Sequence, residues 1–143
     1  MLSANQIITT MEIQVNFLAI VAAMASAMVL GSLWYGPILG KQWMKLNNFT
    51  QEDIKAAGPM WKTIVVTAVM YLIAAFGLSM YLGEEPSISF GAFAGFATAF
   101  FWIGTSKFNN VTYEGQSKKL WLLHFGYDVI VYTVMGIVIG AIQ

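Results

Sequence analysis

The chain has 143 residues, of which 58% are hydrophobic and only 10% charged, whereas roughly a quarter are charged in soluble domains; it is therefore read as an integral membrane protein. Seven lysines balance seven acids, with no arginine, so no basic surface exists for a nucleic-acid backbone to bind. Cysteine is absent, which removes disulfides, thiolate metal sites and thiol nucleophiles together.

Residues 1–15 lack a basic segment ahead of an apolar run and show no cleavage pattern of small residues. They are read as an N-terminal extension, not a removable signal peptide. Four apolar runs follow, Asn16 to Tyr35, Trp61 to Leu82, Ile88 to Ser106 and Leu120 to Ala141, each about 20 residues and so long enough for a helix to cross a bilayer. The expected fold is all-α, a polytopic four-helix transmembrane bundle forming a single domain over residues 16–143. Long loops are expected at about 36–60 and 107–119, and a tight turn at residues 83–87.

In the first loop, Gly36-Pro37 ends the first run, because proline cannot continue the helical hydrogen bonding. Thr50 followed by Gln51, Glu52 and Asp53 predicts a capped short helix on the membrane surface, stopped by Gly58-Pro59. In the third loop Tyr113-Glu114-Gly115 predicts a turn.

Lys41, Lys45, Lys55 and Lys62 lie in or beside the first loop, and Lys107, Lys118 and Lys119 flank the third. All the lysines thus fall at one end of the bundle. Cations accumulate on the cytoplasmic side, so both long loops are expected in the cytoplasm, with the termini and the Gly83 turn outside. Trp34, Tyr35, Trp43, Trp61, Trp102 and Trp121 cluster towards the same end, as headgroup anchors do.

Small residues recur at helical spacing: Ala19, Ala23, Ala27 and Gly31 in the first run, Gly91 and Gly95 in the third, Gly136 and Gly140 in the fourth. Such stripes let helix backbones approach closely, either within the bundle or between subunits. Besides membrane lipids, the expected partners are further copies of the chain, as a homo-oligomer, or the other subunits of a membrane complex.

The fourth run contains the chemistry. Asp128 lies about nine residues, or roughly 13 Å, from the lysine-rich end, and His124 precedes it by one turn on the same face. An ionisable residue at such depth must face protein or water and is the first functional candidate, here as a proton- or cation-binding site. Matching depth along the other runs brings Ser26, Tyr71 and Thr98 level with Asp128, and at least one of their hydroxyls is expected to bond its carboxylate. No metal-ligating cluster extends beyond His124 and Asp128, and no cofactor is called for.

Three separated stretches, Asn16-Phe17-Leu18-Ala19, Gly31-Ser32-Leu33-Trp34-Tyr35-Gly36-Pro37 and His124-Phe125-Gly126-Tyr127-Asp128, give a resemblance. The chain resembles the small four-helix bacterial membrane proteins grouped under a domain of unknown function, the WYGP-containing family. The resemblance implies the topology and a bacterial inner membrane, and no activity. Two functions follow from the residues themselves: a small transporter or channel component using Asp128, or a non-catalytic accessory or scaffold subunit in which Asp128 and the small residues make helix contacts. An enzyme is not expected, since no nucleophile with an adjacent base, phosphate-binding loop or metal motif is present.

Overall fold

The computed structural model describes residues 15–143, so the extension expected at 1–15 lies outside the described residues except for Val15. The described chain is all-α. Helix α1 (Phe17–Leu33) runs into a π turn (Trp34–Ile38), two short helices follow, α2 (Gly40–Asn47) and α3 (Gln51–Ala56), and then the long α4 (Met60–Leu82). Helix α5 (Ile88–Ala97) continues through a π segment (Thr98–Gly104) into α6 (Thr105–Tyr113), and α7 (Lys118–Ile142) closes the chain. Four continuous stretches, Phe17–Ile38, Met60–Leu82, Ile88–Tyr113 and Lys118–Ile142, are long and apolar enough to cross a membrane.

Local chemistry sets the ends of these helices. The Asn16 side chain accepts from the amides of Leu18 and Ala19, Ser87 accepts from Phe90, and Ser117 accepts from Leu120, each supplying a partner to a helix start. Pro37 has no amide to donate, and the chain turns at Gly36–Pro37 with Leu39 donating to the Trp34 carbonyl at 2.8 Å, five residues back. Thr50 and Asp53 form a reciprocal capping box on α3, and Gly58, at φ +98°, supplies the left-handed turn ahead of Pro59. The short capped helix expected after Thr50 is therefore present. Helix α2 was not foreseen; it is held by Trp43, whose ring packs edge-on against Tyr35 and Phe49.

The loop expected at 107–119 is mostly helix. The third span continues to Tyr113, and only residues 114–117 separate it from α7. Asparagines and threonines in this stretch made it look like a loop, yet the backbone stays helical, and Thr105 and Thr112 return their hydroxyls to carbonyls of the preceding turn.

The fourth span is the hub, packing most extensively on the third and then on the first, while the second rests chiefly on the first. The third and fourth spans meet without side chains between them: a Cβ placed on Gly91 would overlap the Gly136 carbonyl, one on Gly136 would overlap that of Gly91, and one on Gly95 would overlap that of Tyr132. The glycine pairs of these two spans thus face each other within one chain. Ala19, Ala23 and Ala27 are buried in the core with Val131, Met135 and Ile139, a set of small and well-packed groups suited to a solvent in which apolar burial drives little. Val29, Ile73, Phe93 and Phe101 are exposed on the outside.

The two ends of the bundle differ. At one, Asn16 donates to the Ile142 carbonyl at 3.2 Å, and the Gln143 amide donates to the carbonyls of Ser79 and Gly83 while accepting from the Ser79 hydroxyl. At the other, where the lysines lie, the second span parts from its neighbours: its buried residues are Ala75, Leu78, Ser79 and Leu82, and none lies before Ala75.

Two outcomes follow. Gly136→Ala should destabilise the detergent-solubilised protein by about 1–3 kcal/mol through overpacking, whereas Gly77→Ala, with open space around it, should be neutral or stabilise by up to about 1 kcal/mol; thermal unfolding followed by tryptophan fluorescence compares them. The hydrogen bonds from the Thr50 hydroxyl and amide hold the exposed Asp53 carboxyl below the ordinary carboxylate range. Because its folded pKa is depressed, its contribution to α3 is complete above an unfolded value near about 4 and fades as pH falls through the folded one. Amide exchange in α3 should therefore accelerate, relative to α2, only in acid.

Candidate functional site

Asp128 is almost fully buried, with a side-chain exposure of 7%, and its Oδ2 accepts a hydrogen bond from Lys107 Nζ at 2.7 Å. The expected partners make their hydrogen bonds elsewhere. The Ser26 hydroxyl donates to the Ala23 carbonyl at 2.7 Å, Thr98 donates to the Ala94 carbonyl at 2.8 Å, and Tyr71 donates to the Tyr127 hydroxyl at 2.7 Å. None of the three bonds Asp128; a carboxylate in a bundle gains more from an ammonium, which neutralises it, than from a hydroxyl, which only solvates it. His124 does not bond Asp128 either. Its Nδ1 lies 2.7 Å from the Tyr35 hydroxyl, so the imidazole turns towards the first span while the carboxylate turns towards the third.

The π segment explains how Lys107 reaches the acid. Along the third span the buried positions are Gly91, Ala94, Gly95 and Ala99, and then Gly104. The last interval is five residues where a regular helix would give three or four. The wide turn rotates everything beyond it by about one residue, bringing Lys107, three residues past Gly104, onto the face that meets the fourth span. The carbonyls loosened by the wide turn find donors: Thr105 Oγ1 donates to Phe101 at 2.6 Å and reaches Trp102 at 3.2 Å, and Trp121 Nε1 donates to Gly104 at 3.1 Å. Gly104 has room for no Cβ because Phe125 lies against it.

The residues of two stretches quoted above meet. Tyr35 contacts both His124 and Tyr127, with ring centroids 5.7 and 5.0 Å away; Trp34 lies 6.2 Å from Tyr127; and a Cβ on Gly31 would stand 2.8 Å from the Tyr127 hydroxyl. Tyr127 in turn donates to the Ala27 carbonyl at 3.2 Å. Sequence reasoning missed three members of this site. Tyr35 was taken for a headgroup anchor, Tyr127 was passed over between His124 and Asp128, and Lys107 was assigned to a loop. The signal for Lys107 was its place directly after an apolar run, within reach of an acid on the next helix.

Two openings flank this network. A cleft of about 360 Å³ between the second span and the third and fourth is lined by Thr67, Tyr71, Lys107, Asp128 and Tyr132. A larger cavity of about 640 Å³ lies between the first and second spans beneath α2 and α3, and neither Lys107 nor Asp128 lines it. Tyr71 and Thr67 border both. Within the cleft Lys107 is about half exposed at 47%, and Asp128 Oδ1 has no hydrogen-bond partner among the described residues. The chemistry available is that of a carboxylate shared between a tethered ammonium and whatever enters the cleft.

Lys107→Gln alone strands a charge and should cost about 1–3 kcal/mol of stability, while adding Asp128→Asn should recover most of it. Unfolding midpoints of the two single variants and the double variant, in one detergent, measure the coupling.

The sequence model of a family described as "Protein of unknown function (DUF1761)" matches residues 18–140 of the chain. No curated protein and no solved structure matches it.

Proposed function

The chain belongs to the DUF1761 family, which brings no activity with it, and we propose that it is a small transport protein of the bacterial inner membrane with Asp128 as its proton- or cation-linked site. The lysine-rich end faces the cytoplasm in this reading, on the strength of the lysine distribution, and the bacterial assignment rests on the resemblance of the Trp34-Tyr35-Gly36-Pro37 and His124–Asp128 stretches. The observation that carries the reading is the ion pair at the wall of an open cleft: Lys107 holds one oxygen of Asp128, and the other has no partner among the described residues.

Such a pair has two states. A proton or a small cation arriving at Asp128 competes with the Lys107 ammonium for the same carboxylate. Once displaced, the half-exposed lysine can extend to the headgroup region, as long cationic side chains at helix ends do. Occupancy of the acid is thereby coupled to the position of the third span's end, and the shift obtainable is bounded by the difference in affinity between the two states. A second reading, the accessory or scaffold subunit, is favoured by the fact that the pair also ties the third span to the fourth.

Proteoliposomes containing a trapped pH dye separate the two readings. The wild type should dissipate an imposed pH gradient on addition of sodium or potassium, and Asp128→Asn with Lys107→Gln, folded as judged by its melting midpoint, should reduce the rate to that of empty liposomes. Flux retained in that double variant, or no flux above empty liposomes in the wild type, overturns transport through Asp128. Loss of assembly without any wild-type flux supports the scaffold.

A further inference from the structure

The larger cavity has a chemistry of its own. Its wall on the second span carries hydroxyls at one-turn intervals, Thr63, Thr67 and Tyr71, which share one face of the helix. Elsewhere in the bundle threonines satisfy themselves: Thr98, Thr105 and Thr133 donate to carbonyls of their own helices. Thr63 and Thr67 make no side-chain hydrogen bond among the described residues. Thr63 is exposed and Thr67 half-buried, and with no partner in the protein their hydroxyls are free to bond a polar group that enters the cavity. Tyr71 spends its proton on Tyr127, and Tyr127 spends its own on the Ala27 carbonyl, so the Tyr71 oxygen still offers lone pairs. The stripe therefore offers two donors and an acceptor.

The remaining walls are mainly apolar, and the hydroxyls of Ser32, Tyr35 and Tyr127 that also reach them are engaged with the Met28 carbonyl, His124 and the Ala27 carbonyl. Met28 and Ile64 line the sides, and Trp43, Phe49 and Ile54 from the α2–α3 region roof the cavity. No lysine lines it, and the one charged lining residue, Asp53, is exposed and turns Oδ2 to the Thr50 amide and hydroxyl at 2.8 and 2.6 Å. An anionic head would meet this carboxylate with no cation to offset it, and a cationic head would find no buried carboxylate. A volume of about 640 Å³ lies within the range of small-ligand sites, about 300–1,000 Å³.

We infer that this cavity binds a neutral amphiphile, whose uncharged head carries both a carbonyl and a hydroxyl against Thr63, Thr67 and Tyr71 and whose apolar tail lies against Met28, Ile64 and the aromatic roof. Glycerol esters of fatty acids have this chemistry, arriving either from the surrounding bilayer or, with short chains, from the aqueous phase. The inference does not depend on transport through Asp128, which lines the other opening.

The test is photo-crosslinking of the full-length protein in liposomes with a monoacylglycerol that carries a diazirine in its tail, followed by peptide mapping. A long-chain probe built into the bilayer and a short-chain probe added to the buffer identify the source, and a diazirine phosphatidylglycerol is the anionic control. Labelling, resolved to single residues by fragmentation of the peptides, should concentrate on Met28, Trp43 and Ile64, with the phosphatidylglycerol probe marking mainly the outward Ile73 and Phe93 surfaces. Thr67→Val, which removes one hydroxyl at constant shape, should weaken cavity labelling about fivefold, the loss of one hydrogen bond. Thr67→Phe, which fills the space, should abolish it. Melting midpoints establish that each variant is folded; if Thr67→Phe is not, mapping on the wild type and the Thr67→Val comparison still decide. Labelling no greater in the cavity than on the outer surface, equal cavity labelling by the anionic probe, or indifference to Thr67→Val overturns the inference.

Discussion

The architecture depends on the contact between the third and fourth spans, where glycine meets carbonyl and no side chain intervenes. In a lipid solvent apolar side chains gain little by leaving their surroundings, so close backbone approach with its dispersion contacts is what holds helices together. Gly91 against Gly136 and Gly95 against Tyr132 fix the axial register of the two spans. With that register fixed, the positions of every residue further along are fixed too. The π segment then inserts its wide turn where the glycines stop, and Lys107 comes to Asp128 from the side that the tight contact has brought near. The ion pair is thus a consequence of the seam: a larger residue at Gly95 would push apart the helices that carry the two charges.

Polar groups in the bundle face one constraint, that hydrocarbon supplies no partner, and among the described residues the buried Trp34 Nε1 is left without one. Serines and threonines mostly meet it locally through their own helix, as Ser26, Thr98 and Thr133 do. Tyr35, Tyr71 and Tyr127 are too long for that and meet it across helices, through His124, one another and the Ala27 carbonyl. The outcome is a polar band linking first, second and fourth spans at the level of the lysine-rich half. It explains why Gly31, Tyr35, His124 and Tyr127, far apart in the chain, work as one structural unit: Gly31 leaves room for the Tyr127 hydroxyl, and Tyr35 orients the imidazole.

The sequence carried a good deal of this. Spans could be located because length and hydropathy are properties of each segment alone, and the Thr50–Asp53 cap was legible because its geometry is local. Asp128 could be singled out because a charge in an apolar run is conspicuous without any knowledge of neighbours. Its partner could not. Matching depth along straight helices assumed one rise per residue throughout, and the π segment breaks that assumption in the third span, while the polar look of residues 107–113 hid the helix that carries Lys107. His124 shows the other limit: spacing of four places two side chains on one face of a helix, but their rotamers answer to whichever neighbouring helix offers a partner, and here those neighbours are different.

The contrast between the two ends gives these parts a common sense. Where Asn16, Ser79 and Gln143 knit the chain together the second span is buried, and from Ala75 towards Met60 it is not. Close to that boundary is Tyr71, which borders both openings and donates its hydroxyl to Tyr127. Movement of the second span towards the fourth would narrow the cleft at Asp128, and movement towards the first would narrow the cavity beneath α2 and α3. Because Thr67 and Tyr71 line both openings, a shift of this one helix would alter both. Under the proposed readings, an occupant of one opening would act on the other only by the difference between its affinities for two positions of this helix.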